Sequence, residues 1–253
     1  MAAQERKEWF ENPEFWQRFA PVMFDGQRWA EAPAVAERVI ALAQLSSALS
    51  PLDAGCGPGR ISVELAARGL RVTGVDIIQA ELDAAAESAA AEGVPIDLRR
   101  EDLRSFRAET PFDCAVSLYT SFGYCDDPAD DLKIIRNIAD SVRDGGTFIL
   151  ESTSRETAAL SFTEGEWFER SGLTVLTEFS VAGAWEGLRS RWILIDGADG
   201  SRYEHEFVQR LYSAPELRRH VLDAGFKSAD IYGGFLGTPY DQDAQTMVIV
   251  AKK

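Results

Sequence analysis

The order of apolar and polar positions along the chain changes character twice. Residues 5–46 carry aromatic side chains at helical spacing, followed by AVAERVIALAQL, and this pattern predicts two helices separated by a loop at residues 21–26. Short apolar runs then alternate with longer helix-like stretches up to about residue 153. Beyond that point the runs become extended and partly alternating, and glycine-containing turns separate them.

The central part of the chain alternates strand-like and helix-like runs. The predicted strands are PLDA, LRVTGVDI, PIDLR, FDCAVSLY and GTFILES. The predicted helices between them are RISVELAARG, AELDAAAESAAAEG and DDLKIIRNIADSVRDGG. Several of these helices end in glycine, as helix C-termini prefer. Alternation over this length predicts an α/β fold with a doubly wound parallel sheet.

The later part of the chain has the pattern of an antiparallel meander. Its extended runs are EWFERSGLTVLTEFSVAG, LRSRWILID and SRYEHEFVQRLY, followed by the helix APELRRHVLDAG and the strands FKSADIYG and TMVIVAKK. We therefore expect three regions. Residues 1–153 form N-terminal helices and a core, residues 154–212 form an inserted antiparallel sheet, and residues 213–253 complete the core.

Composition narrows the class of protein. At 253 residues and 45% hydrophobic content, the chain is long enough for one domain with an elaboration. Its N-terminus lacks the apolar region of a signal peptide, and no continuous apolar run approaches the length of a membrane span. Three irregularly spaced cysteines, Cys56, Cys114 and Cys125, predict a reducing, cytoplasmic setting. A net charge of −15 disfavours nucleic acid as a partner, and we expect no membrane partner.

The segment LDAGCGPGR, residues 52–60, places three glycines between a predicted strand and a predicted helix. Nicotinamide and flavin enzymes use G-x-G-x-x-G at this point, with a pyrophosphate above the helix N-terminus. In this chain the third glycine, Gly59, comes one residue early, and Arg60 stands at the fingerprint position. Asp76 ends the next predicted strand, 21 residues after Gly55, a spacing that suits hydrogen bonds to the ribose hydroxyls of an adenosine.

These residues resemble the class I S-adenosylmethionine-dependent methyltransferases. The similar segments are Asp53 to Gly59 (first motif), VTGVDI at 72–77 (second motif), Asp102-Leu103 (the acidic-apolar pair beside the adenine), FDCAVSLYTSFGY at 112–124 (fourth strand) and DGGTFILES (fifth strand). The resemblance covers residues 33–153 motif by motif. It implies a Rossmann-like, seven-stranded sheet whose last strand is antiparallel, with S-adenosyl-L-methionine as cofactor and S-adenosyl-L-homocysteine as product.

The resemblance also implies which residues contact the cofactor. They are Asp53, Gly55, Cys56, Gly57, Gly59, Asp76, Ile77, Asp102, Leu103 and Leu118. The sulfonium cation suits acidic and aromatic surroundings. Residues 155–212 look like the antiparallel sheet that covers the acceptor pocket in methyltransferases acting on aminosugars or glycine. That likeness implies methyl transfer to nitrogen or oxygen, with carbon also open, of a small-molecule metabolite.

The acceptor side of the reaction is less defined by the sequence. Methyl transfer is an in-line displacement that depends on orientation, and it needs a general base only when the acceptor is protonated. The candidate catalytic residues are Tyr124, Glu151 and His205. The candidate acceptor-contacting residues are Trp16, Phe19, Tyr119, Phe122, Tyr124 and Tyr240, for each of which ordinary packing or a turn is the alternative. No metal site is expected, because the two histidines lack ligand spacing.

Two other functions stay open at this point. A nicotinamide-dependent oxidoreductase would carry G-x-G-x-x-G and a Tyr-x-x-x-Lys pair, and neither appears. A protein that binds S-adenosylmethionine without transferring its methyl group, as a regulator or a cyclase, would keep the same cofactor motifs. The sequence leaves the choice between monomer and homodimer open.

Overall fold

Two β-sheets carry the structure, a computed structural model that describes residues 8–253. In chain order the strands are β1 (Pro51–Ala54), β2 (Thr73–Asp76), β3 (Asp97–Arg100), β4 (Phe112–Ser117), β5 (Val142–Ser152), β6 (Gly165–Arg170), β7 (Leu173–Ala182), β8 (Gly187–Asp196), β9 (Arg202–Arg210), β10 (Ser228–Tyr232) and β11 (Met247–Lys252). The main sheet has the order β3-β2-β1-β4-β5-β11-β10, and the second has the order β6-β7-β8-β9.

The helices pack around the main sheet and between the two sheets. They are a short 3₁₀ turn (Trp9–Glu11), α1 (Pro13–Met23), α2 (Gly26–Ala43), α3 (Arg60–Ala67), α4 (Gln79–Glu92), α5 (Pro128–Ser141), α6 (Arg155–Leu160) and α7 (Ala214–Asp223). Within residues 8–253, no helix combines the length and apolarity needed to cross a bilayer.

The main sheet confirms the predicted fold class. Strands β1 to β5 run parallel, and β11 pairs antiparallel with both β5 and β10. The central strands are nearly continuous buried runs, as a sheet covered by helices on both faces requires. How the elements divide into domains stays a prediction, and residues 1–7 of the first predicted region lie outside the described residues.

One predicted helix is too long. The segment 130–146 was expected to be helical throughout, but α5 ends at Ser141 and β5 begins at Val142. The register between β4 and β5 jumps from the pair Phe112–Val142 to the pair Cys114–Thr147, so the intervening residues form a bulge. Gly145 in this bulge has φ +74, a conformation that ends helical geometry and that glycine adopts without strain.

Two turns also differ from the prediction. The run 166–183 was expected to be one extended segment, but it folds into the hairpin β6–β7 around Ser171 and Gly172. Both turn residues have positive φ, 54 and 78, as a two-residue type I′ hairpin turn requires. The loop predicted at 21–26 shrinks to Phe24 and Asp25, and Asp25 starts α2 by accepting a hydrogen bond from the Arg28 N–H at 2.9 Å.

The second sheet packs against α1 through an apolar cluster. The cluster joins Phe15, Phe19 and Val22 of α1 to Val175, Leu194 and Phe207 of the sheet. These α1 residues recur every three or four positions, which places them on one helix face. Helix α1 therefore bridges the second sheet to the edge of the core.

A buried carboxylate, Asp131 of α5, provides the polar link between the sheets. It is fully buried and accepts hydrogen bonds from Arg210 Nε at 3.1 Å and from the Tyr212 hydroxyl at 2.9 Å, both at the end of β9. The Arg210 amide in turn donates to the Gly123 carbonyl at 2.6 Å. A buried charge pair with this many donors is costly to break from one side.

We expect Asp131→Asn to lower the free energy of unfolding by about 1–3 kcal/mol, because Arg210, whose side chain is 25% exposed, loses its counter-charge and the buried site loses a charged acceptor. Urea denaturation followed by circular dichroism measures the change. Asp130→Asn is the matched control, because the Asp130 carboxylate forms a salt bridge with the exposed Lys133 alone among the described residues. This variant should change the free energy of unfolding by no more than about 0.5 kcal/mol. Equal effects for the two variants would show that Asp131 does not hold the sheets together.

Candidate active site

Two adjoining cavities lie at the carboxyl ends of the main-sheet strands. The larger has a volume of about 500 Å³ and the smaller about 110 Å³. The residues that line both are Trp16, Gly55, Asp76, Ser121 and Tyr124. The carboxyl edge is where open α/β sheets bind ligands. The shared walls make the two cavities one continuous site.

The glycine loop between β1 and α3 has no free backbone donor within residues 55–59. Its amides donate to the Val75 carbonyl (2.8 and 3.1 Å), to Asp76 Oδ2 (2.9 Å) and to the Cys56 carbonyl (3.1 Å), and Pro58 has no N–H. Loops that cradle a pyrophosphate do so with unpaired amides. Residues 55–59 therefore offer no free amide to a pyrophosphate and instead present glycine backbone to the cavity.

The three loop glycines have different roles. A Cβ on Gly55 would lie 2.8 Å from Ser121 Cβ, so this position needs glycine for close packing. A Cβ on Gly57 would meet only the Phe24 ring, at 3.7 Å, so the loop has room on that side. Gly59 lines neither cavity. Its added Cβ would lie 2.8 Å from Ala85 Cβ, and its φ of +80 precedes α3, so Gly59 has a packing role and its cofactor contact stays a prediction.

Two carboxylates lie behind the loop. Asp53 is buried and accepts a hydrogen bond from Ser62 Oγ at 2.6 Å, and burial raises its pKa to about 6. Asp76 accepts from the Gly57 and Ile78 amides at 2.9 Å each, and burial raises its pKa too. An ionised carboxylate has about four acceptor positions. Asp76 thus fixes the loop and keeps acceptor capacity for a ligand.

The smaller cavity is a mostly apolar slot. Among the predicted site residues it brings together Ile77, Asp102, Leu103 and Phe122. The Leu103 carbonyl is held by Asn137 Nδ2 at 2.8 Å. Such a slot beside Asp76 has the shape and polarity to hold a flat heterocycle.

Asp102 is engaged by an arginine that the sequence analysis did not single out. Arg104 donates to both carboxylate oxygens, with Nε at 2.9 Å and Nη2 at 2.6 Å from Oδ2. Burial alone would raise the Asp102 pKa, but the hydrogen bonds and charge of Arg104 hold it below its usual value. Asp102 therefore shapes the wall with its carboxylate committed to Arg104.

The same arginine attaches the N-terminal segment over the slot. Arg104 Nη2 lies 2.6 Å from Glu11, its Nη1 lies 3.7 Å from Glu8, and its guanidinium sits 5.4 Å from the Phe10 ring centroid. The Trp16 indole N–H donates to the Phe10 carbonyl at 2.7 Å. These contacts close the slot with aromatic groups from outside the main sheet.

The larger cavity collects most of the remaining predicted residues. Its lining includes Asp53, Cys56, Gly57, Leu118, Tyr119, Tyr124 and Glu151. Glu151, which is 9% exposed, accepts from Thr246 Oγ1 at 2.5 Å and from the Thr120 amide at 3.3 Å. Burial raises the pKa of Glu151. Burial also raises the pKa of Tyr124 well above its ordinary range, so its hydroxyl stays protonated at neutral pH and does not supply a phenolate base.

Besides Gly59, three predicted site residues lie outside both cavities. Phe19 is fully buried against Trp192 and Tyr203. His205 packs 4.7 Å from the Phe15 ring, and burial lowers its pKa, which keeps the imidazole neutral. Alternation along β9 indicated the face of His205 correctly, but α1 covers that face.

Tyr240 is the third residue placed elsewhere. Its hydroxyl lies 2.5 Å from Ser154 Oγ and 3.3 Å from Glu156, at the start of α6. The ring packs against the main core instead of the cavity rim. Tyr240 therefore links the C-terminal segment to α6, and its acceptor contact stays a prediction that this placement does not support.

The structure adds charged residues that the sequence analysis left out or left undecided. Arg60, which the sequence analysis noted only for its place after the glycine loop, is 5% exposed, lines the larger cavity and lies 4.3 Å from the Tyr119 ring centroid. Its Nη1 donates to the Arg28 carbonyl at 2.8 Å, and no carboxylate in residues 8–253 forms a salt bridge with it. Glu81, buried in the first turn of α4, also lines the larger cavity. The sequence feature that could have indicated the role of Arg60 is its position directly after Gly59.

Comparison with known proteins finds a family that matches the part of the chain from β1 to the first residues of β5. Residues 52–146 match the family described as a methyltransferase domain. A protein of Geobacillus sp. strain WCH70 named as a methyltransferase is 24% identical over 80% of this chain and 83% of its own length. A ubiquinone biosynthesis O-methyltransferase of Stutzerimonas stutzeri is 34% identical, over 44% of this chain and 47% of that protein, so the chain matches about half of the latter's length.

Solved structures share the fold over nearly the whole chain. An S-adenosylmethionine-dependent methyltransferase from Clostridium acetobutylicum superposes with a TM-score of 0.78 at 16% identity, covering 94% of this chain and 98% of that one. An amino pentose methyltransferase from Micromonospora echinaspora, solved with its cofactor bound, gives 0.68 at 21% identity, covering 99% and 100%. At these identities the structural likeness establishes the fold alone. The evidence for methyl transfer comes from the match of residues 52–146 to the methyltransferase domain.

We expect Gly59→Ala to destabilise the protein more than Gly93→Ala. Both positions have positive φ, +80 and +67, but only Gly59 also lacks space for a Cβ. The strain alone costs about 1–3 kcal/mol, and forcing α3 and α4 apart adds about 1–3 kcal/mol at Gly59. Urea denaturation of both variants compares them. Equal losses of stability would show that α3 and α4 do not meet at Gly59.

Proposed function

The chain is a class I S-adenosylmethionine-dependent methyltransferase, and we propose that it methylates a nitrogen atom of a small-molecule metabolite, with oxygen as the second candidate. The observation that carries the proposal is the buried carboxylate of Glu151 in the wall of a cavity of about 500 Å³. Helix α1 and the second sheet contribute Trp16, Trp192 and Phe207 to its walls. A space of this volume suits a metabolite.

The residues of the two cavities fit the cofactor. We assign the adenine to the apolar slot of Ile77, Leu103 and Phe122, and the ribose hydroxyls to Asp76, which lines both cavities. The methionine portion then lies along Gly55 and the rest of the loop, where a pyrophosphate finds no free amide. This loop chemistry also disfavours the nicotinamide-dependent oxidoreductase.

Arg60 supports the same orientation. A guanidinium that is 95% buried without a carboxylate partner in the described residues has an unmet electrostatic requirement. The cofactor's methionine portion ends in a carboxylate, and arginine binds carboxylates with paired donors. We therefore assign Arg60 to that carboxylate, which fixes the direction of the cofactor along the site.

The protein's contribution to methyl transfer is orientation, exclusion of water and handling of one proton. The cofactor supplies an electrophilic methyl group on a sulfonium. Aromatic walls from α1 and the second sheet keep the nucleophile out of bulk water. Thr246 and the Thr120 amide hold the Glu151 carboxylate in place, so that it can accept the proton that an amine loses.

An aminosugar-like molecule is the acceptor class that this site suits best. Its amine would meet the Glu151 carboxylate, and the aromatic walls formed by Trp192 and Phe207 would pack against its ring. The amino pentose methyltransferase among the structural neighbours supports this choice.

Oxygen methylation is the second candidate. It is supported by the similarity to ubiquinone biosynthesis O-methyltransferases, one of which is 34% identical over 44% of this chain. The aromatic walls would also accommodate a phenol ring. In both cases Glu151 would accept the proton.

We expect Asp76→Ala to weaken binding of S-adenosylhomocysteine by about 10- to 100-fold, the effect of about 1–3 kcal/mol for a lost buried partner. Isothermal titration calorimetry measures the affinity. Asp83→Ala, which removes an exposed carboxylate on α4, should bind as the wild type does. Unchanged affinity in Asp76→Ala would contradict the ribose assignment.

We expect Glu151→Gln to lower kcat/KM by about 100-fold, the usual contribution of a general base, while binding of S-adenosylhomocysteine changes less than about twofold because Gln preserves the shape of the site. The assay follows labelled methyl groups from S-adenosylmethionine into fractionated small-molecule extracts, and acetylation of free amines beforehand separates nitrogen from oxygen acceptors. Glu164→Gln, at an exposed position before β6, is the control. Cofactor binding without transfer to any fraction would support a non-methylating role instead.

A further inference from the structure

Glu81 is a buried carboxylate without a donor. Four carboxylate side chains are buried in residues 8–253, and Asp53, Asp131 and Glu151 each accept at least one hydrogen bond from a side chain or amide. Glu81 is 6% exposed and lines the larger cavity, yet no described residue donates to it or forms a salt bridge with it. Because its carboxylate oxygens open onto the cavity, a ligand that fills the cavity and displaces its water has to bring a positive or donating group to them.

The fold itself does not use Glu81. A glutamate at the third position of a helix often accepts from the amide of the N-cap residue, but the Ile78 amide of α4 already donates to Asp76 Oδ1 at 2.9 Å. The position also lies in the first turn, where the helix dipole tolerates a negative charge. That tolerance explains how Glu81 is accommodated and gives no reason to bury it.

No cation that lines the larger cavity pairs with Glu81 among residues 8–253. Arg170 pairs with Asp25 at 3.0 Å, and Arg28 pairs with Glu31 at 3.3 Å. The third, Arg60, donates to the Arg28 carbonyl, lies over the Tyr119 ring and is assigned above to the carboxylate of the cofactor. The positive group that complements Glu81 therefore has to enter with a ligand.

We propose that Glu81 discriminates S-adenosylmethionine from S-adenosylhomocysteine by charge. This inference rests on the cofactor assignment above. The two molecules share the ammonium and carboxylate of the amino acid portion, and they differ at sulfur, which carries a positive charge in the first and none in the second. A carboxylate in a buried wall favours the cationic form, because little solvent screens the attraction. After transfer, the neutral sulfur loses that attraction, which favours exchange of product for fresh cofactor.

The charge on Glu81 depends on its neighbours. Asp53 from β1, Cys56 from the glycine loop, Asp76 from β2 and Arg60 from α3 are the titratable or charged groups that line the cavity beside it. Burial first, and then the charge of Asp76, raise the pKa of Glu81 to about 7. Glu81 is therefore largely protonated at pH 6 and ionised at pH 8, and a bound cation favours the ionised form. Discrimination should rise with pH across this window.

The test compares Kd values for the two ligands by isothermal titration calorimetry at pH 6 and pH 8. For the wild type, the ratio of the S-adenosylhomocysteine Kd to the S-adenosylmethionine Kd should rise by about three- to tenfold between these pH values, as the loss of one buried ion pair at an intermediate effective dielectric implies. In Glu81→Gln the ratio at pH 8 should fall by a similar factor, and its rise with pH should shrink to the part that Asp53, whose pKa is about 6, contributes. Glu81→Asp keeps the charge and should restore most of the pH-dependent rise.

The control is Glu87→Gln, which removes the same charge from an exposed position of α4 and should reproduce the wild-type ratios. An unchanged ratio in Glu81→Gln, or a wild-type ratio that is flat with pH, would overturn the inference while leaving the methyltransferase assignment intact. Failure of the wild type to bind either ligand would instead overturn the cofactor assignment. If Glu81→Gln does not fold, the pH dependence of the Kd ratio in the wild type and in Glu81→Asp still tests the inference.

Discussion

The site exists because a buried carboxylate on the core holds the end of the second sheet. Asp131 of α5 receives Arg210 and Tyr212, and the backbone of Arg210 fastens the loop that contains Gly123. That loop contributes Ser121 and Tyr124 to both cavities. One polar contact thus sets the spacing of the second sheet, the loop wall and the carboxyl edge of the main sheet. At the other end of the second sheet, Arg170 pairs with Asp25 at 3.0 Å and Ser171 Oγ donates to the Pro21 carbonyl at 2.8 Å, and the apolar contacts of α1 add attraction without such directionality.

The electrostatics of the carboxyl edge follow from the glycine loop. Because its amides are all used within the fold, the loop offers no positive field from free N–H groups. Asp53, Asp76 and Glu81 lie around it, and burial raises the pKa of each. An anionic ligand group would meet repulsion there, whereas a cationic one would relieve the cost of burying the acids. The same strand–loop–helix unit that binds a pyrophosphate in other proteins is therefore suited to a sulfonium in this one.

The sequence predicted the elements of the main sheet well, because each of its motifs is local. The order strand, glycine loop, helix and acidic strand end is written within residues 51–76, and the hydrogen bonds of Asp76 are made to residues of that same segment and its neighbours. Features that depend on distant partners were missed. Glu81 sits in an alanine-rich helix whose pattern gives no sign that its first turn faces a cavity, and nothing in the sequence near Arg104 indicates that it joins Asp102 to Glu11 of the N-terminal segment.

The acceptor end of the site is formed by tertiary packing. This explains why three of its predicted residues, Phe19, His205 and Tyr240, do not line the larger cavity. Alternation along β9 shows that Tyr203, His205 and Phe207 share a face, but it cannot show that α1 covers most of it. Of these three, only Phe207 reaches the cavity. The acceptor walls come from α1, β4, β5, β8 and β9, which are brought together by packing and by the Asp131 contacts. The cofactor half can therefore stay constant in sequence pattern while small shifts of α1 and the second sheet reshape the acceptor half, so the same main sheet can serve different acceptors.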